Sequence, residues 1–206
     1  MYKTISEKGE FQQVINKSTF LGTVFHIESE EDALKYIQAE KKKHPDARHI
    51  CWAYLLGEKK DIMRYSDDGE PQGTAGQPIL QVLVKKDITN VLVTVTRYFG
   101  GILLGAGGLT RAYSSSAAGA VDATSIKTMI LSKIVRICLD YTTFNRLQKT
   151  IEKSDYILVD NIEYAENVIL RLIVKEQDFE RLSSFITQST GGKAQIKEIK
   201  KLFLPW

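Results

Sequence analysis

The chain has 206 residues, with 28 Lys+Arg against 25 Asp+Glu for a net charge of +3, and is 43% hydrophobic and 26% charged. That composition suits a globular protein with one large or two small domains and excludes disordered, collagenous and low-complexity classes. No apolar stretch approaches the roughly 18 residues that cross a bilayer, and the opening MYKTISEKGEF has no apolar segment behind its lysine, so no membrane partner or secretory leader is expected and the default compartment is cytoplasmic.

In chain order, Phe11 to Asn16 and Thr19 to Ile27 read as two strands. A helix opens at Ser29-Glu-Glu-Asp32 with a capping-box pattern, places Leu34 and Ile37 toward the core, and ends in Lys41-Lys42-Lys43 before Pro45. His49 to Leu56 and Ile62 to Tyr65 read as a hairpin. The polar loop Ser66 to Pro78, SDDGEPQGTAGQP, follows and is dense in turn formers. Pro78 opens a helix with an apolar face of Ile79, Leu80 and Leu83, and the amides near Gly73, Thr74 and Gly76 are placed to receive an anion. Asn90 to Thr96 is a β-branched central strand that delivers Arg97, Tyr98, Phe99, Gly100 and Gly101. Next come Gly105, Gly107 and Gly108 and a helix bearing Thr110 and Arg111, with Leu109, Ala112, Tyr113, Ser116, Ala117 and Ala120 on one face.

The second half reads as βαββαβ. Met129 to Asp140 is a strand. Phe144, Leu147 and Ile151 recur at helical spacing behind a Thr142 or Thr143 cap, and Tyr156 to Tyr164 with Val168 to Val174 makes a hairpin. Phe179, Leu182, Phe185 and Ile186 mark a helix stopped by Gly191-Gly192, and Ala194 to Leu204 is the last strand. This order predicts a ferredoxin-like sandwich over residues 128–206. The boundary falls in Asp122 to Thr128, giving an α+β chain of two domains, residues 1–125 and 128–206. The second carries the whole charge excess, with 13 basic and 10 acidic residues from Lys127 onward. Cys51 and Cys138 lie in apolar runs without ligand spacing and read as buried thiols.

Strand, glycine-rich loop and helix together resemble a phosphate cradle, because glycine lets amides approach an anion and a helix N-terminus favours negative charge. The competing explanation is that these glycines only permit a tight crossover; neither GxxxxGK[ST] nor GxGxxG occurs. The continuous strings SDDGEPQGTAGQPIL and VTRYFGGILLGAGGLTRAYSSSA resemble the signature of the YigZ/IMPACT family. The resemblance implies an N-terminal domain folded like a ribosomal small-subunit protein domain and domain IV of elongation factor G, and a C-terminal domain like domain V of that factor. Eukaryotic members restrain a starvation-response kinase that acts on a translation initiation factor, by binding the kinase's ribosome-associated activator. The residues before Phe11 are too few for the further N-terminal domain those relatives carry, so that circuit is not carried over.

The resemblance suggests a translation-linked, non-enzymatic binding role with RNA, the ribosome or a translation-associated protein as partner and no cofactor. The expected ligand-binding set is Gly73, Thr74, Gly76, Arg97, Tyr98, Gly100, Gly101, Gly105, Gly107, Gly108, Thr110 and Arg111. Arg forks onto phosphate and aromatics stack on bases, although Arg97 and Tyr98 fall on opposite faces of a strand. The alternatives are a protein-interaction module and a phosphate- or nucleotide-dependent enzyme in which Asp67, Asp68 and Glu70 hold a metal ion near the Gly105–Gly108 segment. Turn geometry explains those acids equally well. His26, His44 and His49 lack ligand spacing, and Ser114 to Ser116 lack a nucleophile elbow.

Overall fold

The computed structural model describes residues 1–206, and the chain divides into units Tyr2–Thr128 and Met129–Trp206. The first contains β1 (Tyr2–Ile5), β2 (Gly9–Ile15), β3 (Ser18–His26), α1 (Glu30–Lys43), β4 (His49–Leu56), β5 (Ile62–Ser66), α2 (Gly76–Lys85), β6 (Val91–Tyr98) and α3 (Gly105–Asp122). Its main sheet is antiparallel in the order β2-β3-β6-β4-β5, so the β-branched run Val91 to Thr96 is indeed central. β1 has no counterpart among the expected elements; four residues give too short a period to recognise, and it is held by the Lys3–Ile88 bridge and by Thr89 N–H donating to Lys3 O.

Each face of this sheet is covered. α2 and α3 pack on the side of Phe20, Val24, Val91, Val93 and Val95, while α1 packs on the side of Phe25, Tyr54, Leu56 and Leu92. Ser29 caps α1 by accepting from Asp32 N–H, and the last turn carries the three lysines as expected. Ala33, Ile37 and Glu40 form its buried stripe, whereas Leu34 is 53% exposed, because it is rotated off the Ala33–Ile37 line by a single residue. All six residues assigned to the packed face of α3 are buried. That helix lies almost on the backbone of β3: a Cβ at Gly22 would stand 2.4 Å from Ser116 O. Gln13 secures the contact by donating from Nε2 to Ala112 O and to the hydroxyls of Ser115 and Ser116, so the serine run serves packing.

The second unit follows the predicted order. β7 (Ile126–Leu139) begins before its expected start at Met129, so part of the stretch expected as a linker is already strand. It leads to α4 (Tyr141–Glu152), β8 (Ile157–Tyr164), β9 (Val168–Lys175), α5 (Phe179–Thr190) and β10 (Ile196–Pro205). β10 pairs with β7, β7 with β9 and β9 with β8, all antiparallel, which is the ferredoxin-like order. Both helices contribute to one core with Val135, Ile137, Leu139, Val168, Leu170, Leu172 and Val174. Three details depart from expectation. The cap of α4 is Asp140, accepting from Thr143 N–H, and not a threonine, because Asp140 still has extended backbone. A bulge between Val159 and Asn161 breaks the alternation of β8, where Ile157 is buried and Leu158 exposed. Cys138 is exposed, since its neighbours Ile137 and Leu139 take the core face.

Gly22→Ala should lower stability by about 1–3 kcal/mol in urea unfolding, because the added methyl meets backbone that cannot move aside.

Candidate functional site

Three segments of the first unit meet at the C-terminal end of β6: the loop after β5, the Phe99–Leu104 segment and the start of α3. They enclose a cleft of about 440 Å³ whose lining includes Arg48, Glu70, Arg97, Phe99, Leu103 and Gly105. Arg97 is deeply buried, and its Nη1 donates to Glu70 Oε1 at 2.6 Å. Tyr113 Oη donates to the same oxygen at 2.8 Å. The guanidinium lies 5.5 Å from the Phe20 centroid and 5.4 Å from that of Phe99, and Arg97 Nε is buried without an acceptor. Burial pushes the Tyr113 phenol and the Cys51 thiol well above their ordinary ranges, which keeps both neutral and Cys51 inert. Arg97 is thus a structural residue before it is anything else.

The acids of the SDDGE segment are each committed elsewhere. Asp67 accepts from Gly73 N–H at 2.9 Å through Oδ2, and from Ala75 and Gly76 N–H at 3.0 and 2.8 Å through Oδ1. The anion expected at Gly73, Thr74 and Gly76 is therefore the chain's own carboxylate. Thr74 turns its hydroxyl to Pro71 O, and these three residues have no free donor to offer a ligand through that surface. Asp68 accepts from Ile50 N–H and Lys41 Nζ, while its carbonyl takes the Nδ1–H of His49. Glu70 is the partner of Arg97. Asp67, Asp68 and Glu70 are separately engaged, and no group of three or more acidic, His or Cys residues has the geometry of a metal centre, which corrects their assignment as a shared metal site.

The remaining expected residues separate further. Tyr98 leaves on the opposite sheet face and meets His44 Nδ1 at 2.8 Å, so it does not join the cleft. A Cβ at Gly100 would stand 2.0 Å from the carbonyl carbon of Lys17, and its N–H donates to Ser18 Oγ; this glycine serves the close approach of the β2–β3 turn. Gly101 has φ +83°, which explains its identity. Gly105, Gly107 and Gly108 are the first turn of α3 and not a loop before it. Gly105 faces the cleft, whereas Gly108, Thr110 and Arg111 line a neighbouring groove of about 710 Å³ on the other side of the helix start, with Leu104 common to both. Gly107 has no positive φ, and a Cβ there would meet no atom within 4 Å. α3 has no side-chain cap and no acid in its first turn. Arg48 is a cleft residue that no sequence motif marks. It is exposed at the entrance to β4, 6.0 Å from the Phe99 centroid, and only the pairing of His49 with Arg97 brings it there.

The Impact N-terminal domain matches residues 16–121, the span of β3 through α3, and a domain of unknown function (DUF1949) matches 137–193. A Bacillus subtilis protein, IMPACT family member YvyE, is 39% identical across 98% of this chain and 93% of its own length. The chain belongs to the IMPACT family. IMPACT family member YigZ of Escherichia coli is 31% identical over 91% of this chain and 92% of that protein. A solved structure described as a hypothetical protein superposes with a TM-score of 0.61 at 28% identity, covering 97% of each chain. The IMPACT signature strings thus map onto the buried Glu70–Arg97–Tyr113 network, the self-capped α2 and the uncapped start of α3.

Arg97→Ala should cost about 3–5 kcal/mol, because it strands the buried Glu70 carboxylate. Asp67→Ala should cost about 2 kcal/mol through the released amides of α2. Chemical denaturation of both variants checks the two values.

Proposed function

We propose that this IMPACT family chain is a translation-linked binding protein that takes RNA at the N-terminus of α3. The observation that carries the reading is the contrast between the two helix starts. α2 has the amides at its start satisfied by Asp67, while α3 opens with no side-chain cap and no acid in its first turn, and a Cβ at Gly105 or Gly107 would meet no atom within 4 Å. Free amides and the helix dipole favour an anion there. Arg48 on one side and Arg111 on the other are exposed cations suited to neighbouring phosphates. The unpaired Nε of Arg97 leaves the cleft short of an acceptor. Phe99, 43% exposed beside Arg48, gives a base an aromatic edge to pack on. Family resemblance supplies the link to translation.

The enzyme reading draws less support, since its acids are occupied in caps and ion pairs. A protein-interaction reading is favoured by one observation, the exposed Ile102 and Leu103 on the rim, at 41% and 84%.

Fluorescence anisotropy with an unstructured oligoribonucleotide of about 12 nucleotides separates these readings. Affinity should fall steeply with salt, and Arg48→Gln and Arg111→Gln should each weaken it about fivefold near ~0.1 M salt, the loss of one phosphate contact. Binding that ignores salt and both arginines, but responds to Leu103→Ser in capture of a protein, would replace RNA by a protein partner.

A further inference from the structure

One face of the second sheet has an arrangement that its own packing does not need. Val135, Ile137 and Leu139 of β7 and Leu170, Leu172 and Val174 of β9 belong to the helix-covered core. Alternation therefore leaves Ile134, Arg136, Arg171 and Ile173 on the opposite face. Register puts Lys197 of β10 opposite Arg136, and Arg136 opposite Arg171. All three are exposed. Side chains directly opposite in a sheet have Cβ atoms about 5 Å apart, and like charges there repel. Asp160 pairs with Arg171, but Arg136 and Lys197 have no carboxylate partner.

The next row on this face is Lys200, Ile134, Ile173 and Leu158. Beyond it, the Trp206 indole is fixed by donating from Nε1 to Ser132 Oγ at 2.9 Å, with Lys175 Nζ 4.6 Å from its ring centroid. A row of three cations, two of them without a carboxylate partner, thus runs beside a row of three aliphatic side chains that ends in Lys200.

We propose that this sheet face binds single-stranded RNA, with phosphates along Lys197, Arg136 and Arg171 and bases against Ile134, Ile173 and Leu158. A single strand presents charge on one edge and flat apolar surface on the other, which matches adjacent cationic and aliphatic rows. An acidic peptide would satisfy the first row and leave the second uncovered. The repulsion built into the cationic row is relieved when phosphates lie over it. This inference rests on the reading that the chain binds RNA, but it assigns a second surface, in the other unit.

The test uses the full chain and the same oligoribonucleotide. The double variant Arg136→Gln/Lys197→Gln should weaken binding about 25-fold near ~0.1 M salt and reduce the salt slope by about 1.4. Arg136→Gln alone should raise the melting temperature by about 1–3 °C, since it removes repulsion in the row. Lys153→Gln, at the end of α4, should change neither. Unchanged affinity in the double variant with losses in Arg48→Gln or Arg111→Gln would overturn this surface and keep the α3 site. Loss only in the double variant would sustain this surface and remove the α3 site. Wild-type protein that binds no RNA would overturn both. Equal loss with Lys153→Gln would reduce the effect to net charge, and displacement of RNA by polyglutamate as readily as by unlabelled RNA would point to an acidic protein; each overturns the proposal.

Discussion

The first unit is organised around a buried ion pair. Glu70 and Arg97 come from a turn-rich loop and from the end of the central strand, and their side chains are only 4% and 6% exposed. Two charges withdrawn from water need each other and need further hydrogen bonds, and Tyr113 supplies one from the middle of α3. Loop, sheet and helix are consequently joined at one oxygen atom. The cleft wall is fixed by that junction, while its rim, Phe99 to Leu104, is left exposed. Rigidity below and accessible side chains above suit recognition better than a reaction requiring its acids to be free.

Glycine in this sequence has several physical meanings that a linear pattern blends together. Gly100 is required by a backbone 2.0 Å from where its Cβ would be, and Gly76 by Ser66 backbone at 2.7 Å. Gly101 is required by its positive φ. Gly107 is required by neither, although glycine in a helix is unfavourable by roughly 0.5–1 kcal/mol relative to alanine. An unexplained glycine at an open helix start is a stronger pointer to a ligand than the density of glycines around it.

Much of the fold was legible because it repeats. The alternation of Val168 to Val174, the 3.6-residue spacing on α3 and the caps at Ser29 and Gly191 all carry local signals that the tertiary structure respects. What was not legible depends on a single residue's phase or on distant pairing. Leu34 sits one position off the buried stripe, the bulge in β8 moves Leu158 outward, and β1 is too short to show a period. For the candidate site, the sequence pointed to segments that line the cleft but not to their partners. Nothing local says that Asp67 will bind the amides eight and nine residues onward, or that Arg48 will stand beside Phe99, since both follow from how the hairpin and the central strand align.

The way α2 begins also bears on the order in which this unit opens. It is a 10-residue helix, short enough to be marginal by itself in water, and the carboxylate that anchors its first turn belongs to the residue following β5. Fraying of the β5 edge would carry Asp67 away and release the helix amides together. Hairpin edge and helix start are therefore coupled as one cooperative segment, exchanging their amide hydrogens with a common opening free energy. A peptide cut from α2 would carry the apolar face of the helix without the anchor that lets it start.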